Sequence, residues 1–146
     1  MKYKTADLEG VLLDAAVAMA QGWHRHEFSS LDWDWREPPT ADDEIGCMMA
    51  DSDWSPSTSW AIGGPIIERE RIELDVGVGD GDGERFWMGT WHYRGRQEIC
   101  LVGTPRPGAL TLATMPKSCH SVGPTPLIAG MRAYIASKLG DEVELP

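Results

Sequence analysis

Cysteine is scarce in this chain of 146 residues, basic residues are outnumbered, and no apolar run is long. Cys47, Cys100 and Cys119 are an odd set without C-x-x-C spacing, which argues against a disulfide framework and for free thiols in a reducing compartment. Thirteen Lys and Arg stand against 23 Asp and Glu, a formal net charge of -10, so the surface repels phosphate backbones and no nucleic-acid partner is expected. The apolar stretches around Val11-Leu12-Leu13 and Ala15 to Ala18 are cut by Asp14 and Gln21, far short of the roughly 20 residues of a membrane helix. No membrane partner is expected either. Asp7, Glu9 and Asp14 interrupt any signal-peptide core behind Lys2 and Lys4, so the expected location is cytoplasmic. Also missing are G-x-x-x-x-G-K-S/T, a strand followed by G-x-G-x-x-G, and G-x-S-x-G, which sets aside phosphate-loop hydrolysis and the nucleophile elbow.

What is present has the length of a single domain and the pattern of an α+β fold, with two helices packed on an antiparallel β-sheet. Lys2 to Lys4 reads as a short strand. Leu8, Val11, Leu12, Ala15 and Met19 keep the spacing of one helical face over Leu8 to Gln21, with Gly22 placed to end it. From Trp23 to Ser59 no regular period is evident, and Glu44 to Ala50 reads as a helical turn or two. Gly63-Gly64-Pro65 places a Pro where a short helix begins. Ile72, Leu74 and Val76 alternate with Glu73 and Asp75 as a half-buried strand, and Phe86 to Tyr93 is its hairpin partner across a Gly- and Asp-rich turn. Shorter strands are expected at Glu98 to Val102 and Leu110 to Thr114. Thr125, Pro126 and Gly140 bracket the clearest helix, with Leu127, Ile128, Met131, Tyr134, Ile135 and Leu139 as its stripe. Val143 and Leu145 then alternate with glutamates in a terminal strand.

Three blocks carry a family resemblance. Gly123 to Val143 resembles the closing block of the NinX family of lambdoid-phage and prophage accessory proteins. Lys4 to Gly10 with Leu13 to Ala18 is similar to its opening, and Trp60-Ala61-Ile62-Gly63-Gly64-Pro65-Ile66-Ile67-Glu68-Arg69-Glu70 to its central motif. The resemblance implies one NinX-like domain over 1–146, a phage context in a bacterial cytoplasm, and no particular reaction. The stretch at about 94–122 is longer than the resemblance implies and reads as an insertion.

The central motif is the candidate site, because a Gly-Gly-Pro step at a helix start would leave backbone N–H groups open to an anion. Gly63, Gly64 and Pro65 would admit a phosphate or carboxylate. Arg69 and Arg71 would supply charged hydrogen bonds, Trp54 or Trp60 would stack on a planar base, and Arg132 would reach an anion beside the motif or pair with Asp141 or Glu142. The plainer alternative is a tight turn whose arginines pair with Glu68 and Glu70.

Seven tryptophans, five of them between Trp23 and Trp60, suggest a pocket or an interface; Trp87 and Trp91 share one face of a strand and read as core. His24 and His26 form an H-x-H pair without a matching ligand set, Asp80 to Glu84 lacks the calcium-loop register, and Ser121 beside Cys119 and His120 makes no nucleophile–base geometry. No cofactor or metal is expected, and the balance leans away from an enzyme. Three functions follow in order: non-catalytic binding of a small nucleotide-like ligand, which in a phage setting would sequester a host defence signalling nucleotide; a module binding a host protein through an acidic, Trp-rich surface; and a small metal-dependent enzyme. A surplus of Trp and Met for so small a core points to a homo-oligomer.

Overall fold

The computed structural model describes residues 1–29, 32–38, 48–50, 52–78, 85–92, 101–103, 110–112 and 118–145. In chain order these form β1 (Lys2–Lys4), a 3-10 turn (Thr5–Asp7), α1 (Gly10–Ala20), β2 (His24–Ser29), β3 (Asp32–Arg36), β4 (Met48–Ala50), α2 (Trp60–Glu70), β5 (Glu73–Val78), β6 (Arg85–His92), β7 (Leu101–Gly103), β8 (Leu110–Leu112), β9 (Ser118–Gly123), α3 (Pro126–Leu139) and β10 (Glu142–Glu144). The class is α+β, and the described strand pairs are antiparallel: β1 with β10, β2-β3-β4, β5-β6-β9, and β7 with β8.

α3 forms where its caps place it. The Ile128 N–H donates to the Thr125 hydroxyl at 3.2 Å, Pro126 occupies the first turn, and Gly140 ends the helix. Leu127 and every residue from Ala129 to Ile135 are buried, so α3 is covered nearly all round and runs through the middle of the molecule. Sheet β5-β6-β9 packs on one side of it, α1 and α2 on others. The two terminal helices thus pack together, with α3 resting on the sheet and α1 lying mainly on α3.

Glycines in two strands let the sheet approach the helix. A Cβ on Gly89 would collide with the Ala129 carbonyl oxygen, and one on Gly123 would lie 2.8 Å from the Ala129 nitrogen. Gly89 therefore marks the inner face of β6, and by the two-residue period of a strand Trp87 and Trp91 share it. Trp91 packs against the core, as the strand reading expects.

Several expectations need correction. In α1 the buried residues are Leu13, Asp14, Ala16, Val17 and Ala18, whereas Val11 is 69% exposed. The buried face of the helix joins Leu13 and Val17 to small residues, so the exposed Val11 and Leu12 misreport the phase. Its C-terminus is as read: Gly22 takes φ 80°, with its N–H on the Met19 carbonyl and the Trp23 N–H on the Ala18 carbonyl. The Trp-containing segment holds the β2-β3-β4 sheet, with Trp35 opposite Arg25 and Met49, and Met48–Ala50 is strand rather than helical turn. β9 was not anticipated. The strands expected at Glu98 to Val102 and Leu110 to Thr114 appear as the shorter β7 and β8, and the rest of the proposed insertion up to residue 117 lies outside the described residues, as do the Gly- and Asp-rich turn at 79–84, Cys47 and Cys100.

Gly89→Ala is expected to lower unfolding stability by about 1–3 kcal/mol, because its methyl must displace helix backbone. Gly64→Ala, whose Cβ would meet only the Trp60 ring at 3.6 Å, is expected to raise it by up to about 1 kcal/mol through helix propensity. Urea denaturation of both variants checks this; equal and opposite signs to those stated would refute the close approach.

Candidate functional site

α2 begins at Trp60, three residues before the Gly-Gly-Pro step and five before Pro65. Ser59 is its N-cap, and the Ser59 carbonyl accepts from the Ile62 and Gly63 N–H groups at 3.2 and 2.8 Å. Gly63, Gly64 and Pro65 are therefore inside the helix, and the Gly63 N–H is used within it. Gly63 is small for a packing reason: a Cβ there would run into the Pro56 carbonyl oxygen and lie 2.9 Å from Leu127. Pro65 has no N–H, so the Ala61 carbonyl loses its helical donor, tolerably because Ala61 faces solvent.

The residues expected to surround one ligand are divided by the fold. Trp54 is buried; its indole N–H donates to the Asp14 carbonyl at 2.7 Å, and its ring lies 4.7 Å from that of Trp23 at 32°. The Asp14 carboxylate accepts from the Ser57 N–H at 2.7 Å, so the turn before α2 is fastened to α1. Arg132 is only 6% exposed. It donates to the Leu8 carbonyl at 3.0 Å, the Val122 carbonyl at 2.7 Å and the Glu9 carboxylate at 3.2 Å, rather than to Asp141 or Glu142. All three contacts are structural.

Trp60, Arg69 and Arg71 remain at the surface. Trp60 is 54% exposed, with Ala61, Pro65, Glu68 and Arg69 exposed beside it and Gly64 under its ring. Arg69 pairs with Glu70 at 3.2 Å and reaches Gln21 at 3.3 Å. Glu70 also pairs with Lys138 at 3.1 Å, and the Lys138 ammonium lies over the Tyr134 and Trp91 rings at 5.7 and 5.9 Å. Arg71 closes α2 in the left-handed region at φ 53°, its N–H on the Glu68 and Ile67 carbonyls and the Ile72 N–H on Ile67. A glycine is usual at that position, and an arginine there costs about 1 kcal/mol.

A second region was not foreseen. A cavity of about 650 Å³ lies between β9 at 118–121 and the chain ends at 4–6 and 140–142, over Ala136. On the outer sheet face the His120 ring bridges two hydroxyls, Thr90 and Ser118, each at 3.1 Å, and His92 meets Glu73 at 3.3 Å. Nothing in the sequence brings Thr90 to His120; the β6-β9 register does, by placing them opposite one another. Among the described residues no group of three or more His, Cys, Asp or Glu is arranged to hold a metal ion, and no helix is long and apolar enough to cross a membrane.

The family described as "Bacteriophage P22, NinX" matches residues 4–138. The chain belongs to the NinX family. Its α2 is the central block of the family resemblance, and α3 the greater part of the closing block. Among curated proteins, none matches this sequence.

Burial raises the pKa of the Tyr134 hydroxyl above its ordinary value of 10.0, and Glu70 adds to the shift while Arg69 opposes it. Above about pH 10 the unfolded chain then gives up this proton before the folded one does, so stability falls with rising pH. Tyr134→Phe is expected to make stability less steeply dependent on pH above about 10 while leaving the profile below that unchanged in shape. Urea midpoints measured across that range decide it; parallel curves for the two proteins would contradict the buried-hydroxyl account.

Proposed function

We propose that this NinX-family protein acts without chemistry, by binding a protein partner through the exposed face of α2. The observation that carries this reading is Trp60, a tryptophan left 54% exposed on α2. An indole left in water on a helix, its ring edge close to Gly64 and the exposed Ala61 and Pro65 on the same helix, has the make-up of an interface anchor. Arg71 supports the same reading. Its left-handed backbone is tolerated where glycine would relieve it, as happens when a side chain is wanted for contact. The Ala61 carbonyl, without its helical donor, offers an acceptor on that face.

The net charge of -10 favours a partner with a basic surface and an association rate that falls with salt. Membership of a phage family supports seeking that partner in the infected host. A nucleotide-like ligand is less favoured, because Trp54 and Arg132 are committed to the interior and Gly63 lies beneath Pro56, which leaves a broad helix face rather than an enclosed pocket. The expected surface is led by one tryptophan, with Trp35 and Trp54 in the core.

Immobilised protein is expected to retain one host protein at a fixed stoichiometry. Trp60→Ala should weaken that binding at least about 30-fold, the scale of an interface hot spot, with an unchanged melting temperature. Arg71→Gly should weaken binding while raising stability by about 1 kcal/mol. Retention unaffected by Trp60→Ala, a nucleotide released on heating instead of a protein, or self-association accounting for all the binding would each overturn the reading.

A further inference from the structure

We infer that the cavity beside β9 is a strand-addition groove that takes an extended, basic peptide segment of another protein. Four consecutive residues of β9, from Ser118 to Ser121, line it. Side chains alternate across a sheet, so a cavity on either face would be lined by every second residue; an unbroken run means that the cavity lies along the strand's edge.

β9 is the last strand of its sheet, and β6 lies on its other side. The Val122 carbonyl shows which of its main-chain groups point away from β6, because it accepts from Arg132 at 2.7 Å. In an antiparallel pair, alternate residues turn both main-chain groups to the same side. His120 and Ser118 therefore turn theirs outward, along the cavity. Among the described residues no main-chain hydrogen bond reaches them there. The edge thus offers donors and acceptors in the order N–H, C=O, N–H, C=O, which is the complement of another extended chain.

The walls define the occupant further. The volume of about 650 Å³ suits a strand of about four residues, roughly 13 Å long. Ala136, Ala6 and the half-buried Cys119 make a floor of small side chains, so alternate peptide residues facing it should be small and apolar. Asp141 and Glu142 stand at the opposite wall, Lys4 being opposite Glu142 in the β1-β10 register, and the whole chain carries -10. The remaining alternate residues should be Lys or Arg. The groove is independent of the α2 face, and each can fail without the other.

The probe is a blocked heptapeptide of alternating lysine and alanine, labelled for fluorescence anisotropy. It is expected to bind with micromolar affinity, and methylating its alternate amide nitrogens in one register should abolish binding while the other register is tolerated. His120→Pro removes the imidazole together with a main-chain N–H that points out of the sheet and takes no part in the β6 ladder, so the fold should persist and binding should fall at least tenfold. His120→Ala keeps that N–H and should bind as the wild type does, which separates the main-chain donor from the imidazole. Trp60→Ala should have no effect on the peptide. Binding unchanged by His120→Pro or by either methylation register, equal binding of an alternating glutamate-alanine peptide, or a β9 edge occupied by a second copy in light scattering would overturn the proposal.

Discussion

One guanidinium joins three parts of this fold that no covalent neighbour brings together. Arg132 stands in the middle of α3, yet its donors end on the carbonyl of Leu8 before α1, on the carbonyl of Val122 in β9, and on the Glu9 carboxylate. The Leu8 carbonyl is a buried main-chain acceptor that would cost about 1–3 kcal/mol if left without a donor, and the Val122 carbonyl is a part-buried one that would cost less. Glu9 is 65% exposed at its side chain, so the ion pair itself adds little beyond orientation. Planarity matters more than charge here: the three nitrogens of one guanidinium diverge toward separate acceptors, which a lysine ammonium on a single stem would not reproduce. With Arg132 in place, β9 has one outward carbonyl engaged at its C-terminal end and its outward groups at His120 and Ser118 directed toward the cavity.

Around that junction the packing relies on small residues. Gly89, Gly123 and Gly130 let α3 approach the sheet and the side chains of Ile67 and Leu74, and in α1 Ala16 and Ala18 are fully buried. The tryptophans serve different ends. Trp35 and Trp54 are core, Trp23 stacks on Trp54, and Trp91 supports the Lys138 ammonium, while Trp60 faces water on α2. A small domain with that much aromatic area inside can hold one outside on a stiff support, which is the condition for a surface anchor.

The elements legible in the sequence were those with local signals. Thr125-Pro126 and Gly140 set α3 to the residue, and the alternation of Ile72 to Val76 gave β5 and its partner. α1 was legible as a helix but not in its phase, since Asp14 is buried for its hydrogen bond to Ser57 and the alanines carry no hydrophobic signal comparable to the exposed Val11 and Leu12. The β2-β3 hairpin was hidden because Asp32-Trp33-Asp34-Trp35 alternates between aromatic and acid in a segment read as polar. β9 was hidden because Ser118-Cys119-His120-Ser121 has no apolar period; its inner face is lined by small residues so that α3 can come close. Of the candidate site, Trp60, Arg69 and Arg71 are surface residues as the ligand reading needs, whereas the place of Gly63 inside α2 depends on Pro56 and Leu127, contacts that no local pattern announces.

Hydrogen exchange of the wild type and of Arg132→Met tests most directly whether this side chain organises the fold. Methionine keeps the buried stem and removes all three donors. The account predicts that amides of α1, whose lead-in at Leu8 and Glu9 Arg132 holds, and of β9, whose Val122 carbonyl it satisfies, lose at least about tenfold more protection than those of β5 and β10. A uniform loss across the molecule, or none, would contradict it.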